Sequence, residues 1–98
     1  MQLSNLQKRC GQLVRKIDKK YQIQRDPQLT VAQLMEELGE LTEKINYKRL
    51  RKRKAKKAEL EDEFADVFIQ LSHLAEHYDI ELKKALEEKI QALEKKHF

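Results

Sequence analysis

Apolar residues recur at intervals of three and four along four stretches of the chain, which is the spacing of an amphipathic α-helix. The stretches predict helices over residues 3–22, 28–48, 58–77 and 80–96. Asp26-Pro27 marks the boundary before the second helix, and Thr30 is a candidate for its N-cap. Only two Gly and one Pro occur in 98 residues, whereas a sheet needs turn residues at short intervals. We therefore predict an all-α fold, a four-helix antiparallel bundle in a single domain over residues 1–98.

The core that one chain can form is thin. Forty per cent of the residues are apolar and 39% are charged, and a short chain buries a smaller fraction of its surface than a long one. Long helices with wide apolar stripes would leave apolar surface uncovered in a monomer. We therefore expect a homo-oligomer, in which a second copy completes the bundle.

Cysteine content and hydropathy exclude several classes of protein. The single cysteine, Cys10, rules out a disulfide framework and a Cys-based zinc site, and its place on the first apolar stripe suits a small core residue. No apolar run approaches the roughly 20 residues of a membrane span, and the N-terminus lacks the apolar core of a signal peptide. We expect a cytoplasmic protein without a membrane partner.

The charge is strongly segregated. Residues 48–57 (KRLRKRKAKK) hold eight basic residues in ten, while the other 88 residues hold 13 basic and 17 acidic ones. Three interpretations are open: a solvated loop, attraction of an anionic substrate, and binding of nucleic acid through its phosphates. Only Tyr47 is adjacent as an aromatic residue, so stacking on single strands is not indicated and nucleic acid is possible but not favoured.

Two acidic pairs occupy matching positions on the second and third predicted helices. Glu37 and Glu40 are three residues apart, as are Glu63 and Asp66, and both pairs lie at the same border of their apolar stripes. If the helices pack stripe to stripe, four carboxylates converge, and a divalent cation with a preference for oxygen, Mg²⁺ or Mn²⁺, would relieve their repulsion. The alternative is a pair of solvated helix faces. Glu36 points further toward solvent, within reach of a second metal or a water.

The same residues resemble a known family. Residues 36–40 read EELGE and residues 63–66 read EFAD, an EExxE and an ExxD motif with 22 residues between them. Over residues 27–96 the chain resembles the MazG-like all-α nucleoside triphosphate pyrophosphohydrolases. The resemblance implies a helical bundle assembled as a dimer or a dimer of dimers. It also implies hydrolysis of a ribo- or deoxyribonucleoside triphosphate to the monophosphate and pyrophosphate, a reaction that cleans nucleotide pools.

The resemblance also implies roles for individual residues. Glu36 would lie beside the metal, on a second ion or orienting the attacking water. Lys89 matches a family Lys and Glu81 stands where the family often has Asp, and both would touch the substrate. Lys89 lies inside the fourth apolar stripe, where a buried stem with an exposed ammonium is the alternative. Leu93 stands where the family often has Asn. The implied catalytic ligands of Mg²⁺ are Glu37, Glu40, Glu63 and Asp66.

Two other functions are weighed against hydrolysis. Leu93 and the basic run are compatible with a catalytically silent regulatory or nucleic-acid-binding protein of the same fold, and a helical interaction module without a metal is a third possibility.

His73 and His77 have the i, i+4 spacing of metal ligands, but without a third ligand nearby we expect both to be solvent-exposed. Gln70 shares an edge with Glu63 and is a weak candidate for touching the substrate.

Overall fold

The computed structural model describes residues 2–98, which form five helices and no strand. This confirms the all-α prediction. Four of the helices correspond to those predicted, and the additional short helix lies at the start of the basic run. The helices are α1 (Leu3–Tyr21), α2 (Pro27–Ile45), α3 (Tyr47–Arg51), α4 (Lys57–His77) and α5 (Leu82–His97).

The start of α2 is fixed by its cap. The Asp26 side chain accepts a hydrogen bond from the Leu29 backbone N–H at 2.8 Å, and Pro27 occupies the first turn, where its missing N–H costs nothing. The sequence also suggested Thr30 as the cap, and that prediction is wrong. Thr30 lies inside the first turn and is fully buried, because Asp26 and Pro27 begin the helix earlier.

Helix α4 is the centre of the molecule, because it packs against both α1 and α2. By contrast, α5 packs against α1 at the turn that follows α4. The side chain of Gln7, which is buried on α1, holds that turn: its amide donates to the Ile80 carbonyl at 2.7 Å and accepts from the Leu82 N–H at 2.8 Å. The rest of α5 projects away, with Leu86 and Ile90 exposed.

A single chain has an incomplete apolar core. Within residues 2–98 the buried apolar side chains are those of Val14, Tyr47 and Ala75. The radius of gyration is 16.0 Å, against about 13 Å for a compact domain of this length. No helix in these residues is both long enough and apolar enough to span a membrane. The uncovered faces leave room for the expected second copy, which stays a prediction.

A polar network joins α1, α2 and α4 where the apolar core is thin. Arg25 forms a two-point ion pair with Asp18, at 2.6 and 2.9 Å, and also donates to Thr30 and Gln33. His77 Nε2 lies 3.3 Å from the Thr30 hydroxyl. The Arg25 and Asp18 side chains are only 8% and 11% exposed, so the pair lies largely out of water. The loop between α1 and α2 is therefore anchored to α4.

The prediction that His73 and His77 are solvent-exposed is wrong. His73 is 4% exposed and His77 is half-buried, and their rings meet edge to face with centroids 4.6 Å apart. Helix α1 packs over this flank of α4, which the periodicity of α4 alone does not indicate. Neither ring nitrogen of His73 has a hydrogen-bond partner among residues 2–98. Burial, with His77 and Arg25 nearby, lowers the pKa of His73 to about 4.

Replacing Arg25 tests the network. The Arg25→Ala variant leaves the Asp18 carboxylate buried without a partner, so we expect unfolding free energy to fall by about 3–5 kcal/mol. Urea unfolding at a fixed protein concentration measures the loss. The control is Arg51→Ala, which removes the exposed ion pair of Arg51 with Glu43 and should cost about 1 kcal/mol or less. Equal losses in the two variants would contradict a special role for the buried pair.

The buried histidine predicts an acid dependence of stability. As the pH falls from 6.5 toward 4, the unfolded chain binds a proton that folded His73 does not, so the wild-type protein loses stability over this range. The His73→Leu variant lacks that proton site. The wild-type protein should therefore lose about 2 kcal/mol relative to the variant between pH 7.5 and pH 5, measured by urea unfolding. A difference that does not change with pH would show that the pKa of His73 is not lowered.

Candidate metal centre

Four carboxylates meet where α2 packs against α4. Glu37 and Glu40 lie one helical turn apart on α2, and Glu63 and Asp66 lie one turn apart on α4, so each pair faces the other helix. One carboxylate oxygen from each residue lies within 4.8 Å of the corresponding oxygens of the other three. The convergence predicted from the two i, i+3 pairs is therefore observed.

The cluster is buried on one side and open on the other. Glu63 is 4% exposed, Glu37 and Asp66 are half-buried, and Glu40 is exposed. Among residues 2–98, Glu37 Oε2 and Glu63 Oε2 are buried oxygens without a hydrogen-bond partner. A ligand can therefore approach from the side of Glu40 and meet oxygen atoms that the protein leaves unsatisfied.

Crowding makes these groups hard to ionise together. Burial, followed by the charges of Asp66, Glu40 and Glu63, raises the pKa of Glu37 to about 7. Burial also raises the pKa of Asp66, with the charges of Asp62 and Glu63 adding to it. Hydrogen bonding with Glu63 raises the pKa of Glu40. The charge of a neighbouring carboxylate contributes to all three shifts, after burial for Glu37 and Asp66 and after the hydrogen bond for Glu40.

A lysine that sequence reasoning missed offsets part of this charge. The ammonium of Lys44 donates to Glu63 Oε1 at 2.9 Å and lies 5.7 Å from the centre of the Tyr47 ring. Lys44 follows Glu40 by four residues, so it continues the acidic face of α2 by one turn. That spacing was the available signal. The Lys44 ammonium thus supplies one positive charge to a cluster of four acids.

The donor set fits a hard divalent cation. Every candidate ligand atom is a carboxylate oxygen, the class that Mg²⁺ and Mn²⁺ prefer over the nitrogen and sulfur ligands of zinc. Two of the carboxylates, those of Glu37 and Glu63, present buried oxygens without a hydrogen-bond partner among residues 2–98. A cation would also offset the neighbouring negative charges that, after burial, raise the pKa values of Glu37 and Asp66. The residues present are therefore suited to hold such an ion.

The other candidate residues lie outside the cluster. Glu36 is exposed on α2. Glu81 accepts a hydrogen bond from Ser4 at 2.7 Å, at the junction of α1 and α5. Lys89 is exposed on α5, the helix that packs against α1. Gln70 lies one turn beyond Asp66 with its Oε1 buried and without a partner among residues 2–98. Their roles stay predictions.

Metal binding can be tested without turnover. Mg²⁺ or Mn²⁺ at a hundredfold excess over its Kd should stabilise the folded protein by about 2.7 kcal/mol, seen as a rise in Tm. The Glu63→Gln variant should lose this response because it removes a buried ligand. Its control is Glu61→Gln, an exposed residue on the same helix with the same change in charge, which should keep it. A full response in Glu63→Gln would place the ion elsewhere.

Comparison with known proteins assigns the fold to a family. The model of the MazG nucleotide pyrophosphohydrolase domain matches residues 25–98, which include α2, α4 and all four carboxylates. No curated protein and no solved structure matches the chain. The match covers well over half of the sequence and contains both acidic motifs. The chain belongs to the MazG nucleotide pyrophosphohydrolase domain family.

Proposed function

We propose that this protein is a metal-dependent nucleoside triphosphate pyrophosphohydrolase. The observation that carries the proposal is the convergence of Glu37, Glu40, Glu63 and Asp66 within 4.8 Å at the interface of α2 and α4. Membership of the MazG nucleotide pyrophosphohydrolase domain family supports pyrophosphohydrolysis of a nucleotide as the class of reaction. The substrate would be a ribo- or deoxyribonucleoside triphosphate, and the products its monophosphate and pyrophosphate.

The chemistry assigns distinct tasks to the residues. The four carboxylates would hold Mg²⁺, with Mn²⁺ as a substitute, and the bound ion would supply charge neutralisation and a more acidic water. Water attacks the α-phosphorus, the bond from that phosphorus to the bridging oxygen breaks, and pyrophosphate leaves with the electron pair. We propose that Glu36, exposed beside the cluster, orients this water and accepts its proton. No covalent nucleophile is required.

The thin core supports a proposal about assembly. Leu86, Ile90 and Leu93 are exposed along α5, and burying them would stabilise a homodimer or a dimer of dimers. Glu81 precedes this helix and Lys89 lies on it, so their proposed contacts with the substrate depend on how the copies assemble. We propose that the protein is a cytoplasmic enzyme that cleans nucleotide pools.

Release of pyrophosphate tests the function directly. The purified protein is incubated with each common ribo- and deoxyribonucleoside triphosphate, with Mg²⁺ or with EDTA. We expect pyrophosphate to be released in the presence of Mg²⁺ and not in the presence of EDTA. The Glu40→Gln variant should reduce the rate of release by about 100-fold or more, because it removes a proposed metal ligand. The Glu61→Gln variant is the control and should keep the rate.

Two results would contradict the proposal. Equal rates of pyrophosphate release by Glu40→Gln and Glu61→Gln would show that the carboxylate cluster takes no part in the reaction. Absence of release from every substrate, by folded protein that Mg²⁺ stabilises, would instead favour the catalytically silent protein of the same fold.

A further inference from the structure

A cavity adjoins the acidic cluster at Lys44, and its lining includes no acidic residue. It has a volume of about 410 Å³, within the range of small-molecule sites, and lies between the end of α2, the start of α3 and the loop before α4. The apolar part of its lining is formed by Ile45, Ala55 and Leu60. The charged residues that line it are Lys44, Lys48, Arg49 and Lys54.

The basic residues of the segment divide into two groups. Arg51 pairs with Glu43, Arg53 pairs with Glu59 at 3.0 Å, and both guanidinium groups lie over the Tyr47 ring. These two arginines fasten the segment to the body of the protein. The second group lines the cavity and consists of Lys48, Arg49 and Lys54. In the described residues, the side chains of these three form no ion pair or hydrogen bond with the protein.

The acids nearest this cavity are already engaged. Glu43 and Glu59 accept from the two arginines, and Glu63 accepts from Lys44. The cations that line the cavity therefore have no acidic residue in that lining to offset their charge. A cleft lined by one sign of charge with walls of low dielectric concentrates the electric field and attracts an ion of the opposite sign.

Lys44 connects the cavity to the acidic cluster. Its ammonium lies 2.9 Å from Glu63 Oε1 and the same side chain lines the cavity, so the two sites meet at this residue. A divalent cation on Glu63 would compete with the Lys44 ammonium for the same carboxylate. The ammonium would then be free to face the cavity and would add a fourth positive charge to it.

From this arrangement we infer that the cavity is a binding site for a pyrophosphate group, formed by Lys48, Arg49 and Lys54 with Lys44 at its boundary. The inference rests on the proposed function, because the group bound there would be the two terminal phosphates of the substrate, which become the leaving group. The basic run thus selects substrates by their phosphate chain. Inorganic pyrophosphate and the end of a triphosphate share this chemistry.

Calorimetric titration of the full chain with inorganic pyrophosphate tests the site. EDTA is present throughout, so the carboxylates cannot contribute through a metal. The variant Arg49→Gln/Lys54→Gln should weaken binding by about 10-fold or more, because it removes two cations that line the cavity. The control Lys52→Gln/Lys57→Gln removes two exposed cations of the same segment outside the cavity, and should weaken binding by less than about 3-fold.

The possible outcomes separate a site from a diffuse basic surface. Equal weakening in the two variants, or no binding of pyrophosphate by the wild-type protein, would overturn the inference. A 20-nucleotide single strand is titrated in parallel. If the strand binds and pyrophosphate does not, the run is a nucleic-acid surface and the inference falls. Pyrophosphate binding lost only in the first variant supports the inference even if no triphosphate is hydrolysed, so its failure and that of the proposed function are distinguishable.

The role of Lys44 has its own test under the same metal-free conditions. Glu63→Gln removes the carboxylate that holds the Lys44 ammonium, so it should tighten pyrophosphate binding by several-fold. Glu61→Gln removes the same charge from an exposed position on α4 and should change binding much less. Equal effects of the two variants would show that Lys44 does not join the cavity. If Lys44 had only a structural role, Glu63→Gln would not tighten pyrophosphate binding more than Glu61→Gln does.

Discussion

Mutual repulsion among four carboxylates is the constraint around which this small fold is organised. Packing of α2 against α4 brings Glu37, Glu40, Glu63 and Asp66 together at a partly dry interface, where they cannot all ionise without compensation. The chain supplies one positive charge through Lys44, and the remaining imbalance is what a divalent cation would relieve. The same interface thus provides both much of the tertiary packing and the candidate metal centre.

Stability and function occupy different ends of α4. Along its first half lie the acidic cluster and the basic cavity, where like charges accumulate. Near its end lies the network of Arg25, Asp18, Thr30 and His77, which ties α1 and α2 to the helix with well-paired polar groups. Because few apolar side chains are buried, this network supplies cohesion that a larger core would otherwise give, and the proposed second copy would add to it.

The sequence was informative where a feature depends on one helix and uninformative where it depends on how helices cross. The i, i+3 acidic pairs and the Asp26–Pro27 boundary follow from local periodicity and capping, and both were predicted. The burial of His73 could not be predicted, because it requires knowing that α1 covers that flank of α4. The pairing of Lys44 with Glu63 likewise spans two helices. Within the basic run, Arg51 and Arg53 form ion pairs while other cations line the cavity. This division also depends on the tertiary structure and could not be predicted from the sequence.

The most direct test of the central claim is a crystal of the protein grown with Mn²⁺, with the ion located by its anomalous scattering. We predict one or more peaks among the carboxylates of Glu37, Glu40, Glu63 and Asp66, and displacement of the Lys44 ammonium from Glu63. A protein that stays folded at saturating Mn²⁺ with no peak at this cluster, and with Lys44 still bound to Glu63, would contradict the claim that α2 and α4 form a metal centre.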